Sequence, residues 1–258
     1  ERMVIPTNRP MFEIRVMPLG NDNYRFFAGV DLIIADAMSL FLMWDDLDLL
    51  YNGKELSEIN ASFRDYVTYT SNPVKKEKFE NDKQYWMKKV EDYPPSPELP
   101  VDLSLEKFEK GKFKRYQHLI KKDDWQKFLK TSSEYGLTPS SALLSIYSEI
   151  LSGYGCGNRF GVMVTVFGRD NVTEDIKSVI GDFTKLALVD IKRNDVPFLE
   201  NALGIQNELQ DSIYHSDFSA VEYIKEIAKV SDGNNIYPVV FTSGIGSEKI
   251  TKNMFFNN

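Results

Sequence analysis

Hydrophobic and polar positions along this chain change their period several times, and each change marks an element. Phe12 to Val16 (FEIRV) alternate apolar and charged, and Tyr24 to Val30 (YRFFAGV) are rich in aromatic and β-branched residues. Gly20-Asn21-Asp22-Asn23 stands between them, so the pattern predicts a hairpin. From Ala37 to about Leu50 the apolar residues run round every side, which predicts a buried helix. Phe79, Trp86 and Val90 repeat on one face of KKEKFENDKQYWMKKV, a second helix whose charges read as a solvated outer face. Four prolines in Tyr93 to Pro100 (YPPSPELP) then stop regular structure, and residues 93–111 are the expected linker between two lobes.

Beyond it, helices alternate with strands. FKRYQHLIKK reads as a basic strand. Asp123-Asp124 open a helix that ends at Gly136, and Thr138-Pro139 open the next with a capping hydroxyl and an N1 proline. Leu143, Ile146, Tyr147, Ile150 and Leu151 form its expected buried stripe. Phe160 to Phe167 (FGVMVTVF) is apolar on both faces, as in a central strand covered by helices. A short helix from Thr173, the strand LALVDI, a helix over about 197–214, a helix capped by Ser219 and Glu222, and the strand YPVVF follow. The alternation predicts an α/β sandwich.

Composition narrows the function. The 258 residues carry 31 basic and 38 acidic side chains, a net charge of −7, and 42% are hydrophobic. That content excludes a disordered chain, and a pI near 5.1 argues against nucleic-acid binding. Cys156 is the single cysteine, so neither a disulfide within the chain nor a thiolate metal site is available. His118 and His215 lack metal-ligand spacing, and no stretch is long and apolar enough to span a membrane. No metal, nucleic acid or membrane partner is expected.

Candidate chemistry sits in a few short segments. Asp31 and Asp36 follow a strand within an apolar run, either as a helix cap and structural ion pair or as functional carboxylates; Ser39 is a second capping hydroxyl for that turn. Asp182 and Thr184 lie in GDFTKL between a helix end and a strand. Thr242 and Ser243 follow a buried strand in FTSGIG, where glycines allow close backbone approach; no Lys follows, so this is not a phosphate loop. His215 near Asp217 reads as a surface or packing residue and Cys156 as inert.

In this order the segments resemble the heterocyclization domains of non-ribosomal peptide synthetases, a branch of the condensation-domain superfamily. Asp31, Asp36 and Ser39 fit the DxxxxDxxS signature that replaces HHxxxDG of ordinary condensation domains. SPELPVDLS is similar to the LPxxPxLP segment, LTPSSALLSIYSEIL to the TPxxxL helix, IGDFTKLAL to GDFTxLxL and PVVFTSGIG to PVVFTSxLG. Arg169 in VFGRD stands in the place of a family arginine. One departure is LSGYG, where Tyr154 and Gly155 replace the Trp-Ser of LxxWS.

The resemblance implies a partial two-lobed fold like that of chloramphenicol acetyltransferase. Residues 1–92 would be the later part of the first lobe and 112–258 most of the second, without an upstream segment and a final QTPQxxLD segment. It implies an enzyme that condenses a carrier-bound acyl or peptidyl thioester with Cys, Ser or Thr, then removes water to give a thiazoline or oxazoline. The setting would be siderophore or antibiotic biosynthesis in the cytoplasm. Substrates would arrive on phosphopantetheine arms of upstream and downstream peptidyl carrier proteins beside an adenylation domain, with no cofactor bound directly. Thr242 is the implied catalytic hydroxyl, its carboxylate partner belonging to QTPQxxLD, so the segment alone is expected to be inactive. Asp36 is expected to pair with Arg169 and hold structure; Asp31 either lines the tunnel between the lobes or serves only its loop. Two alternatives stay open: amide-forming condensation alone, and a non-catalytic module that docks carrier proteins.

Overall fold

A computed structural model describes residues 10–100, 114–170, 172–231 and 235–245. The first elements are the expected hairpin, β1 (Phe12–Gly20) and β2 (Asn23–Val30), antiparallel with Phe12 opposite Val30 and Val16 opposite Phe26. Asn21 and Asp22 both take positive φ, 51° and 57°, the conformation a tight hairpin requires and these residue types tolerate. Both faces of the hairpin are exposed, Ile14, Val16, Phe26 and Phe27 among its apolar side chains.

Next comes α1 (Ala37–Tyr51), then α2 (Phe63–Thr70), which the hydrophobic pattern does not reveal. The start of α2 is set by a reciprocal capping box between Ser62 and Asp65. Contrary to the buried helix expected, α1 buries only Ser39 fully and exposes Trp44, Leu47 and Leu50. Tyr66 of α2 packs with Ile176, Val179 and Phe183 in a small core of their own.

The main core surrounds a sheet of three strands, β3 (Arg159–Phe167), β4 (Thr184–Lys192) and β5 (Val240–Phe241), in the order β4-β3-β5. β5 runs parallel to β3, Met163 pairing with Val240 and Val164 with Phe241. Among the described residues five further α-helices follow, α3 (Pro73–Met87), α4 (Lys122–Glu134), α5 (Pro139–Leu151), α6 (Phe198–Tyr214) and α7 (Ala220–Val230), with short helical turns at Val90–Asp92, Ser152–Cys156 and Glu174–Ser178. Phe160, Val162 and Val164 face Leu144 and Leu151 of α5 and Ile205 and Leu209 of α6. Met163 and Leu188 face Trp86, Tyr223 and Ile227. The apolar central strand is therefore covered on both sides, as its sequence requires.

Contacts group the described chain into two units, one running to Glu77 and including Phe167–Thr184, the other comprising Lys78–Val166 and Lys185–Ile245. This grouping differs from lobes split at a 93–111 linker. Trp86 and Val90 pack in the second unit's core, and the proline segment belongs to that unit too. Proline removes amide donors but leaves carbonyl acceptors. Tyr237 donates to the Pro94 carbonyl at 2.6 Å, Gly161 N–H to that of Pro95 at 2.9 Å, and Ser96 bonds the Ile236 carbonyl. Residues 101–111 of the expected linker lie outside the described residues.

Three more expectations are corrected. Residues 114–121, read as part of a basic strand, have no regular structure and are exposed, His118 included. On α5 the buried face is Ser141, Ala142, Leu144, Ser145, Ser148 and Leu151, while Ile146 and Ile150 are exposed. Ser145 and Ser148 donate to the carbonyls four residues back, both at 2.8 Å. A serine satisfied by its own helix is small and leaves no open polar group, so it can face a core. The charges of α3 are not all solvated either. Asp82 is buried, holding Lys78 and, at 2.9 Å, Nδ1 of His215.

Candidate functional site

Asp36 sits where β2 has ended and α1 begins, and its extended backbone, φ −82° and ψ 178°, makes it the N-cap. Its carboxylate accepts from Ser39 N–H at 2.7 Å and from Phe183 N–H at 3.3 Å. Arg169 Nη2 stands 3.2 Å from the same carboxylate, so the expected ion pair is present, with both side chains at least nine-tenths buried. Ser39 is fully buried; its hydroxyl accepts from Gly181 N–H at 3.0 Å and from Arg169 Nη2 at 2.9 Å. Its one proton has two acceptors in reach, Asp36 Oδ1 at 2.7 Å and the Gly181 carbonyl at 2.9 Å.

Arg169 carries this network further. Nη1 donates to the carbonyls of Lys177 at 2.8 Å and Val179 at 2.6 Å, and the guanidinium lies over the Phe183 ring, 4.3 Å from its centroid. One planar fork thus ties the start of α1 to the turn before β4. A buried carboxylate with this many donors is already saturated, and its geometry is that of a structural pair. Asp31, by contrast, is half-buried and closes a local turn, its Oδ1 accepting from Ile33 N–H at 3.0 Å. Asp182 does likewise for Thr184 N–H at 3.1 Å.

Gly181 is the residue of the GDFT segment that the packing singles out. A Cβ there would lie 2.3 Å from Phe63 Cδ2, and the Phe63 ring is held edge-on by Phe183, with centroids 5.0 Å apart. Gly181→Ala is expected to destabilise the protein by about 1–3 kcal/mol, the usual cost of forcing an extra methyl into a packed core. The shift in urea midpoint measures it, and Asp182→Asn serves as a control expected to change little.

The second group of motif residues follows β5. Thr242 is exposed and Ser243 half-buried. Thr242 Oγ1 lies 2.8 Å from Thr165 Oγ1 at the end of β3, and Ser243 Oγ lies 2.7 Å from Ser140 Oγ in the first turn of α5. Sequence reasoning missed Thr165 and Ser140. Thr165 carried a signal, as the one polar side chain in FGVMVTVF; Ser140 carried none.

Other candidates have bland surroundings. Cys156 is buried, and burial pushes its thiol up, with the Glu98 carboxylate adding to the shift. His215 stacks on Tyr85 at 3.8 Å, and its acid partner is Asp82; Asp217 pairs with Lys185. Gly155 of the departing LSGYG segment has φ +109°, which a serine would adopt only under strain. Among the described residues, no cluster of His, Cys, Asp and Glu could hold a metal, and no helix is long and apolar enough to cross a membrane.

The model of the condensation-domain family matches residues 5–242. Bacitracin synthase 1 of Bacillus licheniformis is 33% identical over 248 residues, 94% of this chain and 5% of that protein. Phenyloxazoline synthase MbtB of Mycobacterium sp. (strain MCS) is 24% identical over 238 residues, 92% of this chain and 20% of that one. Among solved structures, the EpoB cyclization-docking bidomain of Sorangium cellulosum superposes with a TM-score of 0.86 at 28% identity, covering 95% of this chain and 50% of that one. The chain therefore spans at most a fifth of these two curated relatives and half of that solved chain. The mixed helix-and-sheet architecture is that of condensation and cyclization domains. The chain belongs to the condensation-domain family and resembles its heterocyclization branch in non-ribosomal peptide synthetases.

Proposed function

We propose that this chain is part of a heterocyclization domain that joins two carrier-bound thioesters and closes a five-membered ring. The amine of a cysteinyl, seryl or threonyl thioester attacks the donor thioester carbonyl; the C–N bond forms, the C–S bond breaks and the donor arm leaves as a thiol. The side-chain thiol or hydroxyl then adds to the new amide carbonyl. Breaking the resulting C–OH bond and losing the N–H proton releases water and leaves the C=N bond of a thiazoline or oxazoline.

The observation that carries this reading is the likeness to the EpoB cyclization structure together with Asp31 at the place of the first histidine of HHxxxDG and Asp36 and Ser39 completing DxxxxDxxS. Asp36, saturated by Arg169 and Ser39, is a structural member of the motif; Asp31 closes its own turn, Asp182 caps Thr184 N–H, and Ser243 ties its segment to Ser140. Thr242 offers an exposed hydroxyl. A threonine hydroxyl does not ionise near neutral pH, so its role is to hydrogen-bond the amide oxygen or the hydroxyl that this oxygen becomes before it leaves carbon as water. Proton transfer falls to a carboxylate, which the resemblance assigns to the QTPQxxLD segment of such domains. Substrates would come on phosphopantetheine arms of flanking carrier proteins charged by an adenylation domain, in the cytoplasm, and holding both arms in line supplies the proximity term.

The test loads the flanking carrier domains of the full-length synthetase with acyl and cysteinyl groups and weighs the product. A mass lower than the linear amide by one water supports cyclization. Linear amide alone would reduce the function to condensation, and no coupled product would leave only carrier docking.

A further inference from the structure

We propose that Thr165 is a positioning residue for Thr242, fixing where its hydroxyl proton points. The inference rests on the reading of Thr242 as the hydroxyl that assists cyclodehydration. β3 and β5 pair in parallel through Met163–Val240 and Val164–Phe241, so the next residues on each strand, 165 and 242, leave the ladder side by side. Neighbouring positions of parallel strands present their side chains to the same face, which brings Thr165 Oγ1 to 2.8 Å from Thr242 Oγ1. The fold does not require a hydroxyl at 165. Valine has the same β-branched shape and equal or better strand preference, and every other side chain of FGVMVTVF is apolar or absent.

A hydroxyl has one proton and two lone pairs. When two hydroxyls share a bond, only one proton enters it. With Thr165 donating, Thr242 keeps its own proton to offer outward from its exposed position; with Thr165 accepting, the Thr242 oxygen is left to accept. With Thr165 accepting, the Thr242 proton is held at one of its three settings; with Thr165 donating, the setting toward Thr165 is closed and two outward ones remain. Without Thr165 it rotates freely, and the proton is correctly aimed for only part of the time. The Ser140–Ser243 contact at 2.7 Å anchors the following residue, so the backbone of this segment has a second tie that does not depend on Thr165.

The experiment compares Thr165→Val, Thr165→Ser, Thr242→Val and the double variant Thr165→Val/Thr242→Val in the full-length synthetase with loaded carrier domains. Linear and cyclised product are measured separately. Thr165→Val is expected to slow cyclised product about tenfold, the size of one oriented hydrogen bond, while linear amide forms within about twofold of wild type. Thr165→Ser should recover most of the loss, and the double variant should be no slower than Thr242→Val. Linear amide also reports that the variant has folded. If both products fall together in Thr165→Val, or if cyclization is unchanged there while Thr242→Val loses it, the positioning role is overturned. If Thr242→Val itself cyclises at the wild-type rate, the reading of Thr242 fails and Thr165 has nothing to position.

Discussion

Asp36→Asn is expected to lower the yield of folded protein and the product rate together. The carboxylate takes Ser39 N–H on one oxygen and Phe183 N–H on the other, and faces Arg169 as well. An amide of the same size presents one acceptor oxygen and one NH2 group, so at least one of these donors would meet another donor. The guanidinium would be left buried without its counter-charge. Removing one partner of a buried ion pair costs about 3–5 kcal/mol, a large fraction of the 5–15 kcal/mol by which domains are ordinarily stable. Urea unfolding and soluble yield measure the loss, and Arg169→Lys should follow the same course, because an ammonium cannot reach three backbone carbonyls and Asp36 at once. A protein of full stability with no turnover would instead give Asp36 a direct part in the chemistry.

Thr242→Val should do the reverse, leaving stability nearly untouched and removing one reaction. The side chain is exposed, and valine suits a residue at a strand end, so the unfolding free energy is expected to change by no more than about 0.5 kcal/mol. Linear amide should still form, because thioester aminolysis does not pass through the cyclodehydration step. Cyclised product should fall about a hundredfold, the lower range of what one hydrogen-bond donor aimed at the developing charge contributes. Mass analysis of carrier-released product separates the two. Cyclization at the wild-type rate would place the assisting group elsewhere.

The two candidate groups differ in how much the sequence disclosed about them. Asp31, Asp36 and Ser39 are legible because their spacing from a strand end and from each other is local, and the resemblance attached Arg169 and Thr242 to them. Asp182 and Thr184 were singled out beside Gly181 because acids and hydroxyls look chemical, whereas the packing singles out the glycine, pressed against Phe63 from a helix far away in sequence. Thr165 and Ser140 meet the FTS segment only through strand order and helix placement. On α5 the periodicity of Leu and Ile pointed to the wrong face, since serines that bond their own helix can be buried and the larger side chains left outside.

From the sequence alone come the hairpin, the succession of helices and strands apart from α2 and the basic segment at 114–121, the covered central strand and the family motifs. All of these follow from short-range backbone preferences and from which residues must leave water. Tertiary structure decided the rest. It shows that Arg169 joins Asp36 and Ser39 to the carbonyls before β4, that the proline segment packs as part of a core, and that Asp82 turns inward to His215. Each of these depends on which distant carbonyl, ring or carboxylate is brought within about 3 Å. Hydrogen bonds form only at that range and ion pairs weaken with distance, so the tertiary approach decides them and no local pattern encodes them.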